Sequence, residues 1–231
     1  SVKGIKSLNE TVTLSFYKKI IKDMEDTQNY NIKGIYGMNG SGKSGIIASV
    51  SILKNLIVNP EYLNNPIVQK NLDEMINKKL GELYIEADYI IKLEDGIRLF
   101  NYTVSLSKNA VGKYVISHEC LAQKKLRSKH DISKIIFEVS DGELKTEYKN
   151  KFYETIHKKT MNLLSNASLP ALTLEKYIIP SKNEIESEKY LVDDILFDGV
   201  FNLIKLGMNM YIYLDQSDEH GKYLFFNMIE S

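Results

Sequence analysis

Residues Gly37-Met38-Asn39-Gly40-Ser41-Gly42-Lys43-Ser44 match the pattern G-x-x-x-x-G-K-[ST] without a gap. A loop with this pattern wraps the phosphates of a nucleotide. Its glycines let successive backbone N–H groups turn towards one anion, because a Cβ atom at those positions would clash. The stretch therefore predicts a nucleotide-binding site, with these nucleotide-binding residues: Gly37, Met38, Asn39, Gly40, Ser41, Gly42, Lys43, Ser44 and Gly45.

The last residues of this phosphate loop carry its side-chain chemistry. The ammonium group of Lys43 is expected to reach the β- and γ-phosphates, and the Ser44 hydroxyl to bind the Mg²⁺ that bridges them. The helix that begins near Gly42 adds the positive end of its dipole. ATP and Mg²⁺ are the expected cofactors.

Both flanks of the loop fit a strand–loop–helix unit. Residues 31–36 form a short strand-like run before it. After it, apolar residues recur at helical spacing, and Asn59-Pro60 is expected to end the helix. These apolar residues are Ile46, Val50, Leu53 and Ile57.

The composition sets limits on the kind of protein. The chain has 231 residues, with 43% hydrophobic residues and balanced charges, 30 basic against 30 acidic. Such a chain is long enough for one large domain or two small ones, and it carries no overall charge for nucleic acid. Cys120 is the only cysteine. With no long apolar run, we expect a cytoplasmic protein without a membrane partner.

The remaining chain divides into patterns of different period. Residues 1–16 alternate and predict a hairpin turning near Asn9-Glu10, and residues 81–149 predict an antiparallel meander of about five strands. Helical spacing predicts helices in 60–80, 150–166 and 184–206, and Met210 to Leu214 a strand before a polar turn at 215–221. We expect three segments: an ATP-binding lobe at 1–80, an antiparallel β subdomain at 81–149, and a helical segment with a returning strand at 150–231.

Residues 2–8 and 35–44 together resemble the opening of an ABC-type ATPase head of the SMC and RecF kind. Among these heads the sequence is most similar to the bacterial AAA-type ATPases of the OLD and abortive-infection group. The strong part of the resemblance covers residues 2–58, and Glu119-Cys120-Leu121 extends it more weakly. Gly45 departs from the Asn or Thr that such heads usually carry.

The resemblance implies a mixed α/β fold, the N-terminal lobe of an ABC-type P-loop NTPase. It also implies heads that close head-to-tail around two nucleotides, hence a homodimer, and a role in DNA maintenance or phage defence beside DNA or a nuclease effector. The alternative is a nucleotide-dependent binding module or switch without its own turnover. A small-molecule P-loop kinase fits the long antiparallel insert less well.

An ATPase of this type also needs a strand ending in Asp-Glu, for Mg²⁺ and for the attacking water. Asp193-Asp194 lies in a helical pattern, while Tyr211 to Asp215 has the strand but is followed by Gln216. The signature Leu-Ser-x-Gly precedes neither. We therefore assign no catalytic residue, and we expect the hydrolytic part in a missing C-terminal half or on another polypeptide.

Other polar groups are interpreted as structural. The acid-rich turn at 215–221 matches no EF-hand or zinc spacing. His118 and Cys120 share one face of a strand, which is more typical of an ordinary strand than of a metal or nucleophile site. The basic residues of 124–129 are most simply a solvated loop.

The first testable prediction follows from the missing acidic centre. We expect residues 1–231 to bind Mg-ATP weakly and to hydrolyse it at close to the background rate, because the group that orients water is lacking. Steady-state phosphate release by the purified protein and by its Lys43→Ala variant measures this. Brisk turnover that Lys43→Ala abolishes would contradict the prediction and make Asp194 and Asp215 the first residues to mutate.

Overall fold

The largest element of the fold is a six-stranded antiparallel sheet with its strands in the order β1 to β6. The computed structural model describes residues 1–15, 35, 38, 42–93, 96–125, 133–180, 195–218 and 221–228. The strands of this sheet are β1 (Val2–Lys3), β2 (Glu82–Leu93), β3 (Gly96–Lys108), β4 (Tyr114–Lys125), β5 (Lys134–Ser140) and β6 (Glu143–Lys145). A separate hairpin consists of β7 (Met210–Asp218) and β8 (Gly221–Met228).

The sheet forms because its strands alternate between buried and more exposed residues. On β2 the buried positions include Leu83, Ile85 and Tyr89, and on β3 they include Phe100 and Tyr102. This two-residue period places one face of the meander in the core. Strands β2 to β6 all fall within residues 81–149, so the prediction of about five antiparallel strands there is confirmed.

Five α-helices accompany the sheet in the described ranges. They are α1 (Lys43–Val58), α2 (Pro66–Met75), α3 (Lys151–Thr160), α4 (Leu169–Thr173) and α5 (Ile195–Met208), and a π-helical turn (Leu174–Ile178) continues α4. Helix α1 confirms the helix predicted after the phosphate loop. Among the helices in the described ranges, none has both the length and the apolar character that a bilayer crossing requires.

One hydrophobic core receives residues from every segment of the chain. Ile5 and Ile57 come from the first segment, Tyr102 and Phe137 from the meander, and Leu196 from the last helix, and each is almost fully buried. The described residues thus form a mixed α/β fold, as the sequence predicted at that level. The segment boundaries at 80 and 149 stay a prediction.

The N-terminal residues reverse direction as the sequence predicted, but the turn lies at a different place. Val2 pairs with Val12 through hydrogen bonds in both directions (2.8 and 2.9 Å), and the chain turns between Ile5 and Leu8 instead of at Asn9-Glu10. Within residues 1–15 the strand is limited to Val2–Lys3. The reversal occurs there because Gly4 and Lys6 adopt positive φ angles of 83° and 49°. Of the strand predicted at 31–36, only Ile35 lies within the described residues.

Several helix and strand boundaries also differ from those predicted. Helix α2 ends at Met75, where Ile76 is extended, and α3 ends at Thr160 instead of 166. Helix α5 begins at Ile195, and residues 181–194 lie outside the described residues. Strand β7 continues to Asp218, so the turn predicted from Asp215 is shorter than the acid-rich composition suggested.

The contact between α1 and α5 generates a stability prediction. A Cβ atom at Gly207 would lie 2.5 Å from Ile57 Cγ2 and 2.9 Å from Val58 Cγ1. We expect Gly207→Ala to lower the free energy of unfolding by about 1–3 kcal/mol, because overpacking outweighs the better helix propensity of alanine. Chemical denaturation measures the change. Met208→Ala, at an exposed neighbouring position, is the control, and equal stability of the two variants would refute the close contact.

Candidate functional site

The end of the phosphate loop and the start of α1 form the first part of the site. Gly42 has a φ angle of 88° and accepts hydrogen bonds from the N–H groups of Gly45 (2.9 Å) and Ile46 (3.1 Å). A Cβ atom at Gly42 would lie 2.5 Å from Leu8 Cδ2. Both the backbone angle and the close approach therefore require glycine here.

Lys43 is the first residue of α1 and turns back over the loop. Its Nζ donates a hydrogen bond to the Met38 carbonyl oxygen at 2.7 Å. The structure thus describes Met38, Gly42, Lys43, Ser44 and Gly45 of the predicted site. The other predicted residues, Gly37, Asn39, Gly40 and Ser41, lie outside the described residues.

The Ser44 hydroxyl has a partner that the sequence did not predict. Lys6 Nζ donates a hydrogen bond to Ser44 Oγ at 3.0 Å, across 38 residues of sequence. Nothing in the spacing of Lys6 and Ser44 indicates this contact. The only signal was that Lys6 lies in the opening stretch that carries the family resemblance.

Lys6 reaches Ser44 because its turn is fixed to the end of α2. The Lys6 N–H donates to the Met75 carbonyl (2.6 Å), and the Asn77 N–H donates to the Gly4 carbonyl (2.9 Å). The Asn77 side chain donates from Nδ2 to the Lys6 carbonyl and to Asn9 Oδ1, both at 2.7 Å. We call residues Gly4 to Asn9 the N-terminal turn. Hydrogen bonds with Met75 and Asn77 hold the backbone of this turn.

The unusual glycine at position 45 has a structural reason. Gly45 is buried, and a Cβ atom there would lie 3.3 Å from Ile5 Cγ2 and 3.6 Å from the Ile5 carbonyl oxygen. The larger Asn or Thr of the resembled heads would extend into this contact. Gly45 thus allows the N-terminal turn to pack on the first turn of α1.

The charges around the start of α1 favour an anion. Residues 43–46 read Lys-Ser-Gly-Ile and carry no carboxylate. The first two N–H groups of a helix have no acceptor within the helix, whereas those of Gly45 and Ile46 donate to the Gly42 carbonyl. The helix dipole adds positive potential at this end. Two ammonium groups make hydrogen bonds near this helix end, that of Lys6 to the Ser44 hydroxyl and that of Lys43 to the Met38 carbonyl.

The described residues fit Mg²⁺ only if phosphates and water supply most of its ligands. Mg²⁺ prefers oxygen ligands and commonly keeps water and substrate phosphates among them, and Ser44 Oγ is one such oxygen. In the described ranges, no group of three His, Cys, Asp or Glu residues is arranged to hold a metal. Asp215 lies on β7 opposite Tyr223 of β8, and Asp193 and Asp194 lie outside the described residues.

A second polar centre lies inside the protein, away from the loop. Glu119 is fully buried, and its two carboxyl oxygens accept hydrogen bonds from the Tyr102 hydroxyl (2.8 Å) and the Leu169 N–H (3.0 Å). Burial raises the pKa of Glu119 to about 7, although both hydrogen bonds act in the opposite direction. Its place in Glu119-Cys120-Leu121 was visible in the sequence, but its burial was not.

His118 and Cys120 are the remaining candidates, and their neighbours are those of an ordinary strand. His118 Nδ1 lies 3.7 Å from Glu138 Oε1 on the neighbouring strand. Burial, followed by the charges of Glu138 and Glu119, raises the pKa of the Cys120 thiol to about 11. A thiol with a raised pKa is a poor nucleophile, which agrees with the structural interpretation of this strand.

Comparison with known proteins adds no family. No protein-family model, curated protein or solved structure matches the chain. The resemblance to ABC-type ATPase heads therefore stays a prediction from the sequence.

The buried carboxyl predicts how stability depends on pH. Burial raises the pKa of Glu119 from its ordinary value of 4.5 to about 7, so the folded state binds more protons than the unfolded state between these values. Stability should therefore fall as pH rises through this window, by up to about 3 kcal/mol from this group. Above pH 7, Glu119→Gln should be more stable than the unaltered protein.

Denaturant unfolding at several pH values between 4.5 and 8 measures this effect. Glu143→Gln, at an exposed position on β6, is the control and should leave the pH slope unchanged. If Glu119→Gln shows the same slope as the unaltered protein, Glu119 does not titrate in the folded state as stated.

Proposed function

We propose that this chain is the ATP-binding lobe of an ABC-type ATPase that acts in DNA maintenance or phage defence. The observation that carries the proposal is the start of α1. There a positive-φ glycine, a lysine folded over the loop carbonyl and a serine hydroxyl follow one another at a helix N-terminus. This order matches the parts that hold a nucleotide's phosphates in a phosphate loop.

Each part has a distinct task in this proposal. The N–H groups at the start of α1 face the phosphate oxygens, and Lys43 exchanges the Met38 carbonyl for a phosphate oxygen. Ser44 Oγ would be an oxygen ligand for Mg²⁺, and the bound metal would supply charge neutralisation to the phosphates. The balance of the charges favours a triphosphate, because two ammonium groups lie at this helix end.

In this proposal, ATP hydrolysis requires a larger assembly. By resemblance, a C-terminal half supplies the catalytic acid and a second head closes over the nucleotide, so a homodimer is the working unit. DNA or a nuclease effector is the proposed partner. The antiparallel sheet and the other helices hold α1 in place, because α1 packs against them along its length.

Substitution of Lys43 tests the proposal. We expect Lys43→Ala to weaken Mg-ATP binding by roughly 10- to 100-fold, the usual value of a hydrogen bond to a charged group. Isothermal titration calorimetry measures the affinity, and circular dichroism checks the fold.

Lys70→Ala is the matched control, because Lys70 is an exposed lysine on α2. It should bind Mg-ATP as the unaltered protein does. Equal affinity of a folded Lys43→Ala variant, or no ATP binding by the unaltered protein, would overturn the assignment.

A further inference from the structure

We propose that Lys6 competes with Mg²⁺ for the Ser44 hydroxyl and substitutes in part for the metal's charge, and that Asn77 positions it. The inference rests on the proposed function, because it concerns the same nucleotide site. It assigns a role to two residues outside the phosphate loop, and it makes the dependence of ATP binding on Mg²⁺ a property of the N-terminal turn.

The first step is the position of the Lys6 ammonium group. Lys6 Nζ lies 3.0 Å from Ser44 Oγ, and both side chains are exposed at the start of α1. The backbone of Lys6 has a φ angle of 49°, an uncommon conformation for a residue with a Cβ atom. The backbone hydrogen bonds of Lys6 hold its Cα in a defined position, from which the side chain reaches the helix end.

The second step is the chemistry of the shared hydroxyl. Mg²⁺ binds its oxygen ligands at about 2.1 Å, so a metal on Ser44 Oγ would place two positive charges close to the Lys6 ammonium. Repulsion at such distances is substantial even near the surface. The ammonium and the metal therefore exclude one another from this oxygen, and binding of one requires the other to move.

The third step concerns the nucleotide. Without Mg²⁺, the phosphates of ATP carry their full negative charge, and an ammonium beside Ser44 offsets part of it. With Mg²⁺, the same ammonium opposes the metal. Lys6 thus narrows the difference between the ATP affinities with and without Mg²⁺, and its removal should widen that difference.

The fourth step is the role of Asn77. Its Nδ2 group donates to the Lys6 carbonyl and to Asn9 Oδ1, while its Oδ1 accepts from the Lys79 N–H at 3.0 Å. One side chain therefore joins the N-terminal turn to the residues that follow α2. In this proposal Asn77 affects the Mg²⁺ dependence of ATP binding through Lys6, as a positioning residue.

The test compares Lys6→Met with Lys3→Met. Methionine keeps most of the length of lysine but has no charge, and Lys3 is an exposed lysine on the neighbouring strand. ATP affinity is measured by calorimetry in excess Mg²⁺ and in EDTA. The ratio is the dissociation constant in EDTA divided by that in excess Mg²⁺. We expect this ratio to rise about five-fold in Lys6→Met, which is the upper range for an exposed charge interaction. Lys3→Met should leave the ratio unchanged.

Asn77→Ala tests the positioning role. It should raise the same ratio by less than Lys6→Met does, and the double variant should match Lys6→Met, because Asn77 acts through Lys6. A lower melting temperature with an unchanged ratio would show that Asn77 is only structural and would overturn its assigned role. If Asn77→Ala does not fold, Asn77→Ser, which keeps a hydroxyl at this position, is measured in the same way.

The outcomes separate this inference from the proposed function. If Lys43→Ala loses ATP binding but Lys6→Met keeps the original ratio, only the role of Lys6 is wrong. If the unaltered protein binds no ATP, or Lys43→Ala binds it normally, the proposed function itself fails.

Discussion

Helix α1 has close contacts at both of its ends, and each of them involves a glycine. At its start, the N-terminal turn lies against Gly42 and Gly45, through Leu8 and Ile5. At its end, Gly207 of α5 lies against Ile57 and Val58. These glycine contacts add to the apolar packing of α1, whose Ile52, Leu53, Leu56 and Ile57 lie in the hydrophobic core.

The free-energy cost of glycine at position 45 can be compared with the contact that the glycine allows. A glycine inside a helix costs about 1 kcal/mol relative to alanine, and somewhat less in a first turn. Burial of a complete isoleucine side chain stabilises a fold by about 1.5–3 kcal/mol, and Ile5, which packs on Gly45, is fully buried. The contact with Ile5 that the glycine allows therefore offsets part of the helix propensity that it loses.

The sequence predicted those elements whose pattern is local. The period of two in residues 81–149 and the helical spacing after the phosphate loop depend on neighbouring residues, and the structure confirms both. The turn at Ile5–Leu8 was placed wrongly, because its position follows from the φ angles of Gly4 and Lys6 and from contacts with Met75 and Asn77. Contacts between residues 68 or more positions apart leave no periodic signal.

The same distinction holds within the candidate site. Lys43 and Ser44 could be named from the motif, whereas the Lys6 contact to Ser44 depends on how two distant segments fold together. Glu119 was noticed only as part of a short motif. Its full burial arises from tertiary packing, because β3 and α4 supply its two hydrogen-bond donors.

The buried polar groups around Ser168 explain how the loop-bearing helix is joined to the sheet. The Ser168 hydroxyl bonds the carbonyl of Leu56 near the end of α1 and accepts from the Ala171 N–H at 3.2 Å. The next N–H, from Leu169, donates to Glu119 in the sheet. Because an unsatisfied buried polar group costs about 1–3 kcal/mol, these groups resist separation. A displacement of α1 away from the sheet would break this series of hydrogen bonds as well as the apolar core, so α1 keeps a defined position relative to β4.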